Sequence, residues 1–169
     1  MKKVLLVLAA FCIFGLISGC GEIKDALDIE FDITYHHIFP IHGDTETLSY
    51  DIILEDNDDY NRYKHKIRSI QIDYLRYSIT SNTGGEGTGY LYAGSYGSPF
   101  FSATKIAHTS GFVAGETYGD TDVEWINLPF LESLLAGGKL SLWAVGSNSG
   151  VDIIVPVVIK IEVTANPLE

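Results

Sequence analysis

The sequence predicts an all-β protein, an antiparallel two-sheet β-sandwich of about eight strands with one short helix; a closed β-barrel is the alternative. Three observations carry this expectation. Several long segments alternate apolar and polar residues with a period of two, the mark of a half-buried strand. Clusters of Gly, Asn, Ser and Asp separate these segments, and helical spacing stands out in just one of them. A chain of 169 residues, 46% hydrophobic and 20% charged, has the composition of one globular domain.

The elements follow in order. Ile29, Phe31, Ile33 and Tyr35 alternate with Glu30, Asp32, Thr34 and His36, and Leu48, Tyr50, Ile52 and Leu54 repeat the pattern. Ile70 and Ile72 share one phase, whereas Leu75, Tyr77 and Ile79 take the other, so a bulge is expected near Asp73 and Tyr74. Further strands are expected over Thr88–Gly94, Ala103–Thr109, Asp122–Asn127 and Lys139–Gly146. The last runs from Val151 through Ile153, Val155, Val157, Ile159 and Ile161 to Val163. Pro156 has no N–H for a ladder, which predicts an edge strand or a bulge there. Asn82–Gly85 and Gly146–Gly150 carry hairpin-turn chemistry. Pro129–Ala136 reads as the helix: Pro129 suits its first turn, Leu131, Leu134 and Leu135 form one face, and Gly137–Gly138 stops it. The expected core includes Ile33, Leu54, Ile72, Leu142, Ile159 and Ile161.

The N-terminus is organised differently. Lys2 and Lys3 precede the uncharged run Val4–Ile17, 14 residues long, and then Ser18, Gly19 and Cys20. This is the layout of a secretory signal, and the run is shorter than the ~18 residues that span a bilayer. A retained membrane anchor and an ordinary signal peptide are the alternatives. Ile17-Ser18-Gly19-Cys20 resembles the lipobox of bacterial lipoproteins. The resemblance implies a signal peptide over residues 1–19 and diacylglycerol on the thiol of Cys20. It implies a lipidated cysteine and tether over residues 20–27, and a domain over 28–169. It also implies a place in the bacterial cell envelope. Gly21, where an Asp would act as an inner-membrane retention signal in enteric-type bacteria, favours the outer membrane if the host has one. Two or three acyl chains hold a protein stably, whereas one holds it marginally. The seven residues Gly21–Leu27 reach at most ~25 Å, which keeps the domain near the membrane.

Cleavage before Cys20 leaves 150 residues with 9 basic and 22 acidic side chains, a net charge of −13. Such a balance argues against nucleic acid as a partner. Cys12 leaves with the signal and Cys20 carries lipid, so no disulfide, cysteine–zinc site, thiol nucleophile or iron–sulfur cluster is expected.

Four segments invite a functional reading. Tyr35–His42 holds His36, His37 and His42, but adjacent strand residues point to opposite faces, so His36 and His37 cannot share one ion within a strand. Glu55–Asp59 is acidic enough to make Asp56, Asp58 and Asp59 weak calcium candidates, although the EF-hand spacing is missing and a solvated loop is the simpler reading. Arg62, Lys64, Lys66 and Arg68 would share one face of an extended strand. They would attract a membrane surface or an acidic partner, or else neutralise the preceding acidic loop. Tyr90, Tyr92, Tyr96, Phe100 and Phe101 crowd twelve residues and would bind a sugar ring or an apolar partner if exposed, or form core or a cross-strand ladder if buried.

No Ser–His–acid set and no paired carboxylates stand out, and Gly84–Gly89 lacks the helix and the Lys-Ser or Lys-Thr of a phosphate loop. The expectation is therefore a non-enzymatic, lipid-anchored envelope protein with no cofactor, whose domain binds an envelope protein or glycan or serves structurally. A carbohydrate- or small-ligand-binding module using Tyr90–Phe101 is the alternative. Exposure of the aromatic cluster separates the two.

Overall fold

The computed structural model describes residues 28–42, 45–84, 86–109, 111–148 and 152–167. Ten strands pair among them: β1 (Ile29–His42), β2 (Thr45–Ile53), β3 (Ile67–Ile79), β4 (Ser81–Asn82), β5 (Gly87–Ser95), β6 (Thr104–His108), β7 (Tyr118–Asp122), β8 (Glu124–Trp125), β9 (Lys139–Asn148) and β10 (Asp152–Ala165). The first sheet has the order β1-β10-β3-β7, with β4 also on β10, and the second has the order β2-β9-β5-β6-β8. Every pairing is antiparallel. The molecule is thus the expected two-sheet sandwich. The segment read as one strand over Asp122–Asn127 is split, its start ending β7 in one sheet and its middle forming β8 in the other.

The period-two pattern of the sequence is the burial pattern of the strands. In β1, Ile33, Phe39 and Ile41 are buried while Glu30, Asp32, Thr34 and His36 face solvent. Ile33, Leu54, Ile72, Leu142, Ile159 and Ile161 all lie in the core. Burying such side chains is the main favourable term in folding. The expected bulge is present: Lys160 pairs with Tyr74 and Ile161 with Ile72, which leaves Asp73 as the extra residue. On the outer surface Lys160 bridges Asp73 at 2.8 Å and Asp32 at 3.0 Å, tying three strands together. Those contacts, first that to Asp73 and then that to Asp32, raise the Lys160 pKa above its ordinary value.

Of the two readings of Pro156 the edge strand is excluded and the irregular register is present, and two hairpin expectations are corrected. β10 is not an edge strand, because β1 and β3 flank it. Pro156 is tolerated where β3 gives way to β4: the register slips by one residue between Tyr77↔Val157 and Ser81↔Ile154. The strands on either side of Asn82–Gly85 are not a hairpin, because β4 lies in the first sheet and β5 in the second; Gly85 is outside the described residues. Likewise Gly146 and Asn148 belong to β9, whose successor β10 lies in the other sheet; residues 149–151 are outside the described residues.

Two α-helices occur among the described residues, one more than expected. α1 (Asp58–Tyr63) begins at Asn57, whose side chain accepts a hydrogen bond from Tyr60 N at 2.9 Å. Asp58 and Asp59 occupy its first turn, where the helix dipole favours negative charge. α2 (Leu128–Leu135) is the expected helix, capped by Asn127, with Leu131 and Leu135 buried. It packs against strands of both sheets, and Ile72 N of β3 donates to Glu132 Oε1 at 3.2 Å. Gly138 follows with φ +81°, and a Cβ there would lie 2.7 Å from Tyr60 Oη, so glycine lets the two helical segments close against each other.

Candidate functional site

Strand alternation sorts the aromatic cluster. Leu91 and Ala93 of β5 are buried between the sheets, so Tyr90 and Tyr92, half-buried, lie on the outer face of the second sheet. Neither ring belongs to the sandwich core. Across the ladder Tyr92 pairs with Trp143 and Tyr90 with Val145 of β9. Leu140 and Leu142 point inward, so Trp143 points outward, where it is only 6% exposed.

The loop after β5 covers that indole. A short 3-10 turn, Phe100–Ser102, places Phe100 in an edge contact with Tyr92 at 5.2 Å and tilted over Trp143 at 6.2 Å. Offset and edge contacts of this kind are favourable beyond the area they bury. The loop is fastened by Gly97 N, which donates to Ser141 Oγ at 3.1 Å, while the Ser141 hydroxyl donates to Asp51 at 2.5 Å. Gly94 leaves the indole its space, since a Cβ there would meet Trp143 ring carbons at 3.2 and 3.4 Å.

Two lysines complete the surface. Lys105 of β6 lies over the Tyr90 ring at 3.8 Å and within 5.6 Å of the Tyr92 ring; Lys139 lies 5.0 Å from the Tyr96 ring. These are cation–π distances. Phe101 projects beyond them at 89% exposure, with Tyr96 at 44% and Phe100 at 38%. All five aromatic residues singled out in the sequence therefore share one neighbourhood. Trp143, Lys105 and Lys139 were missed. Trp143 had a readable signal, because it is an aromatic out of phase with Leu140, Leu142 and Ala144.

The other candidates behave differently. Arg62, Lys64, Lys66 and Arg68 do not share a strand face, because α1 intervenes: Arg62 is helical, Lys64 caps the helix and only Arg68 lies in β3. Arg62 meets Asp59 at 3.7 Å, Lys64 meets Glu55 at 3.3 Å, Lys66 donates to Pro167 O, and Arg68 meets Asp28 at 3.0 Å. Arg62 and Lys64 thus meet carboxylates of the preceding acidic segment, whereas Lys66 and Arg68 reach residues distant in the sequence. Asp56 lies in the 3-10 turn before α1, and Asp58 and Asp59 in the first turn of α1. His36 faces out, whereas His37 turns inward, stacks on Tyr50 at 4.1 Å and has its pKa lowered by burial. Among the described residues no three His, Cys, Asp or Glu side chains converge as metal ligands. Cys20 lies outside the described residues, as does all of 1–27.

Between the sheets lies an apolar cavity of about 60 Å³, bounded by Phe39, Leu75, Tyr77, Leu91, Ala144 and Val157 among others. Small-molecule sites start near ~300 Å³, so this space is a gap in packing rather than a ligand site. Elsewhere, the outer face of the first sheet is charged around Asp32, Asp73, Lys160 and Glu162 and carries exposed Ile38 of β1 and Ile154 of β10.

No known family matches the chain, and no curated protein matches it in sequence. Solved structures with some likeness include three from viruses. Desmodium yellow mottle tymovirus is 12% identical, with 83% of this chain and 91% of that chain covered and a TM-score of 0.35. A decameric BFDV capsid protein is 10% identical over 80% and 98% of the two chains, with a TM-score of 0.41. Turnip yellow mosaic virus is 8% identical over 83% and 96%, with a TM-score of 0.34. The two-sheet architecture of this chain rests on its own strand pairings.

Proposed function

We propose that this protein is a lipid-anchored, non-enzymatic binding domain of the bacterial cell envelope that holds glycan rings on the outer face of its second sheet. The lipobox-like Ile17–Cys20 supports the anchor, with Cys20 as the lipidated residue and the outer membrane as its place where the host has one. One observation carries the binding reading: the rings of Tyr92, Phe100 and Trp143 are packed together on a sheet's outer face and lead to the exposed Phe101. Trp143 and Tyr92 form the packed base, and the rings that reach water are Tyr96, Phe100 and Phe101; an exposed apolar patch of this kind marks a contact site. Flat rings suit the apolar C–H faces of a sugar.

Two experiments test this. Cys20→Ala should abolish labelling by a fatty-acid analogue; unchanged labelling would overturn the anchor. The lipidated full-length protein in detergent micelles should retain oligosaccharides from a broad glycan panel. Phe101→Ala, which removes a ring that supports nothing beneath it, should weaken retention about tenfold, the equivalent of ~1.4 kcal/mol. Absence of retention across the panel would overturn the glycan reading.

A further inference from the structure

Resting on that reading, we infer that the glycan is acidic, a sugar chain bearing carboxylate or phosphate groups, and that Lys105 and Lys139 are its charge-reading residues. The argument starts from what the other cations do. Among the described residues Arg62, Lys64, Arg68, Arg76 and Lys160 each pair with a carboxylate, and Lys66 donates to Pro167 O. Lys105 and Lys139 instead rest against tyrosine rings, with no carboxylate partner among the described residues. Acids outnumber bases two to one in this chain, yet neither of these two ammonium groups meets one. Lys66 also lacks a carboxylate but is held by a backbone carbonyl, so Lys105 and Lys139 are the two ammonium groups among the described residues that rest on ring faces, and both lie on the aromatic surface.

Two carboxylates border this surface without meeting either lysine. Asp51 accepts from Ser141 at 2.5 Å, and Glu124 pairs with His108 at 3.0 Å. The surface therefore offers ring faces to stack on and two ammonium donors for anionic groups, within a domain that is otherwise negative. A cation on a ring face is held only weakly when exposed, so Lys105 can turn to a carboxylate or phosphate at small cost. The charge-assisted bond gained is stronger than a neutral one. The negative bulk of the domain makes ligand charge selective: an anionic chain is repelled except where the two lysines lie.

The experiment uses full-length protein in micelles and matched sugar pairs: alginate and polygalacturonate oligomers, the same oligomers with carboxyls reduced to alcohols, and a phosphorylated oligosaccharide with its dephosphorylated form. Calorimetry should give binding of at least one acidic member about tenfold or more above its neutral counterpart, weakening as salt rises. Lys105→Gln and Lys139→Gln should each lower the acidic affinity about tenfold and flatten its salt dependence, and an unchanged urea midpoint in each variant reports an intact fold. Equal binding of acidic and neutral members, indifferent to both lysines, would overturn this inference and leave the glycan reading standing. Binding of neither kind would overturn both, and binding of an acidic protein in place of all sugars would do the same.

Discussion

Ile161 tests the sandwich most sharply. It is fully buried in β10 and pairs with Ile33 on one side and Ile72 on the other, both core residues. Ile161→Ala removes three carbons, and at ~0.8 kcal/mol each the transfer loss alone is roughly 2.4 kcal/mol. The space left at the centre of a three-strand contact cannot collapse freely, so the full cost should be ~3–5 kcal/mol. Ile38, in β1 of the same sheet, is 58% exposed and supplies the control; Ile38→Ala should cost under ~1 kcal/mol. Urea unfolding followed by the fluorescence of Trp125 and Trp143 measures both, with the comparison made at equal slope. If Ile161→Ala costs no more than Ile38→Ala, the assignment of inward and outward faces in the first sheet is wrong.

Two further outcomes follow from local geometry. Gly138→Ala meets both an unfavourable φ of +81° and Tyr60 Oη at 2.7 Å, so it should destabilise by about 2 kcal/mol or more in the same assay; Gly97→Ala, at φ +71° with open space around it, should cost only the conformational part, ~1–2 kcal/mol. Lys160 has a pKa raised by Asp73 and Asp32, so its contribution is complete below the ordinary lysine value of 10.5 and is lost as pH climbs through the raised one; Lys160→Met should flatten that alkaline fall in stability while leaving its acid side less affected.

The strands and core were legible because period two translates directly into faces. Ile33, Ile159 and Ile161 needed only their phase, and the phase reversal after Ile72 located the bulge at Asp73. What local patterns do not carry is which sheet a strand joins. Asn82–Gly85 has the chemistry of a reversal, yet the strands on either side belong to different sheets. Pro156 likewise reads as either an edge or a bulge residue until the break between β3 and β4 beside it is known. The basic residues 62–68 mimic a strand by their even spacing, but Asn57 caps a helix of only six residues that sequence periodicity is too short to reveal. At the candidate site the five aromatic residues were visible as a cluster. Lys105 and Lys139 were not, because their company depends on pairings between distant strands and on a loop folded back over Trp143.

Trp143 also provides the most direct test of the binding surface. It sits beneath Phe100 and beside Tyr92, whereas the other tryptophan, Trp125, lies on β8. A Trp125→Phe variant makes Trp143 the sole indole, at the centre of the proposed surface. Titrating this protein with the acidic oligosaccharide that binds in calorimetry should shift or quench its emission, saturating at the calorimetric dissociation constant. An emission spectrum that stays constant while calorimetry reports full binding would place the ligand elsewhere and contradict the account.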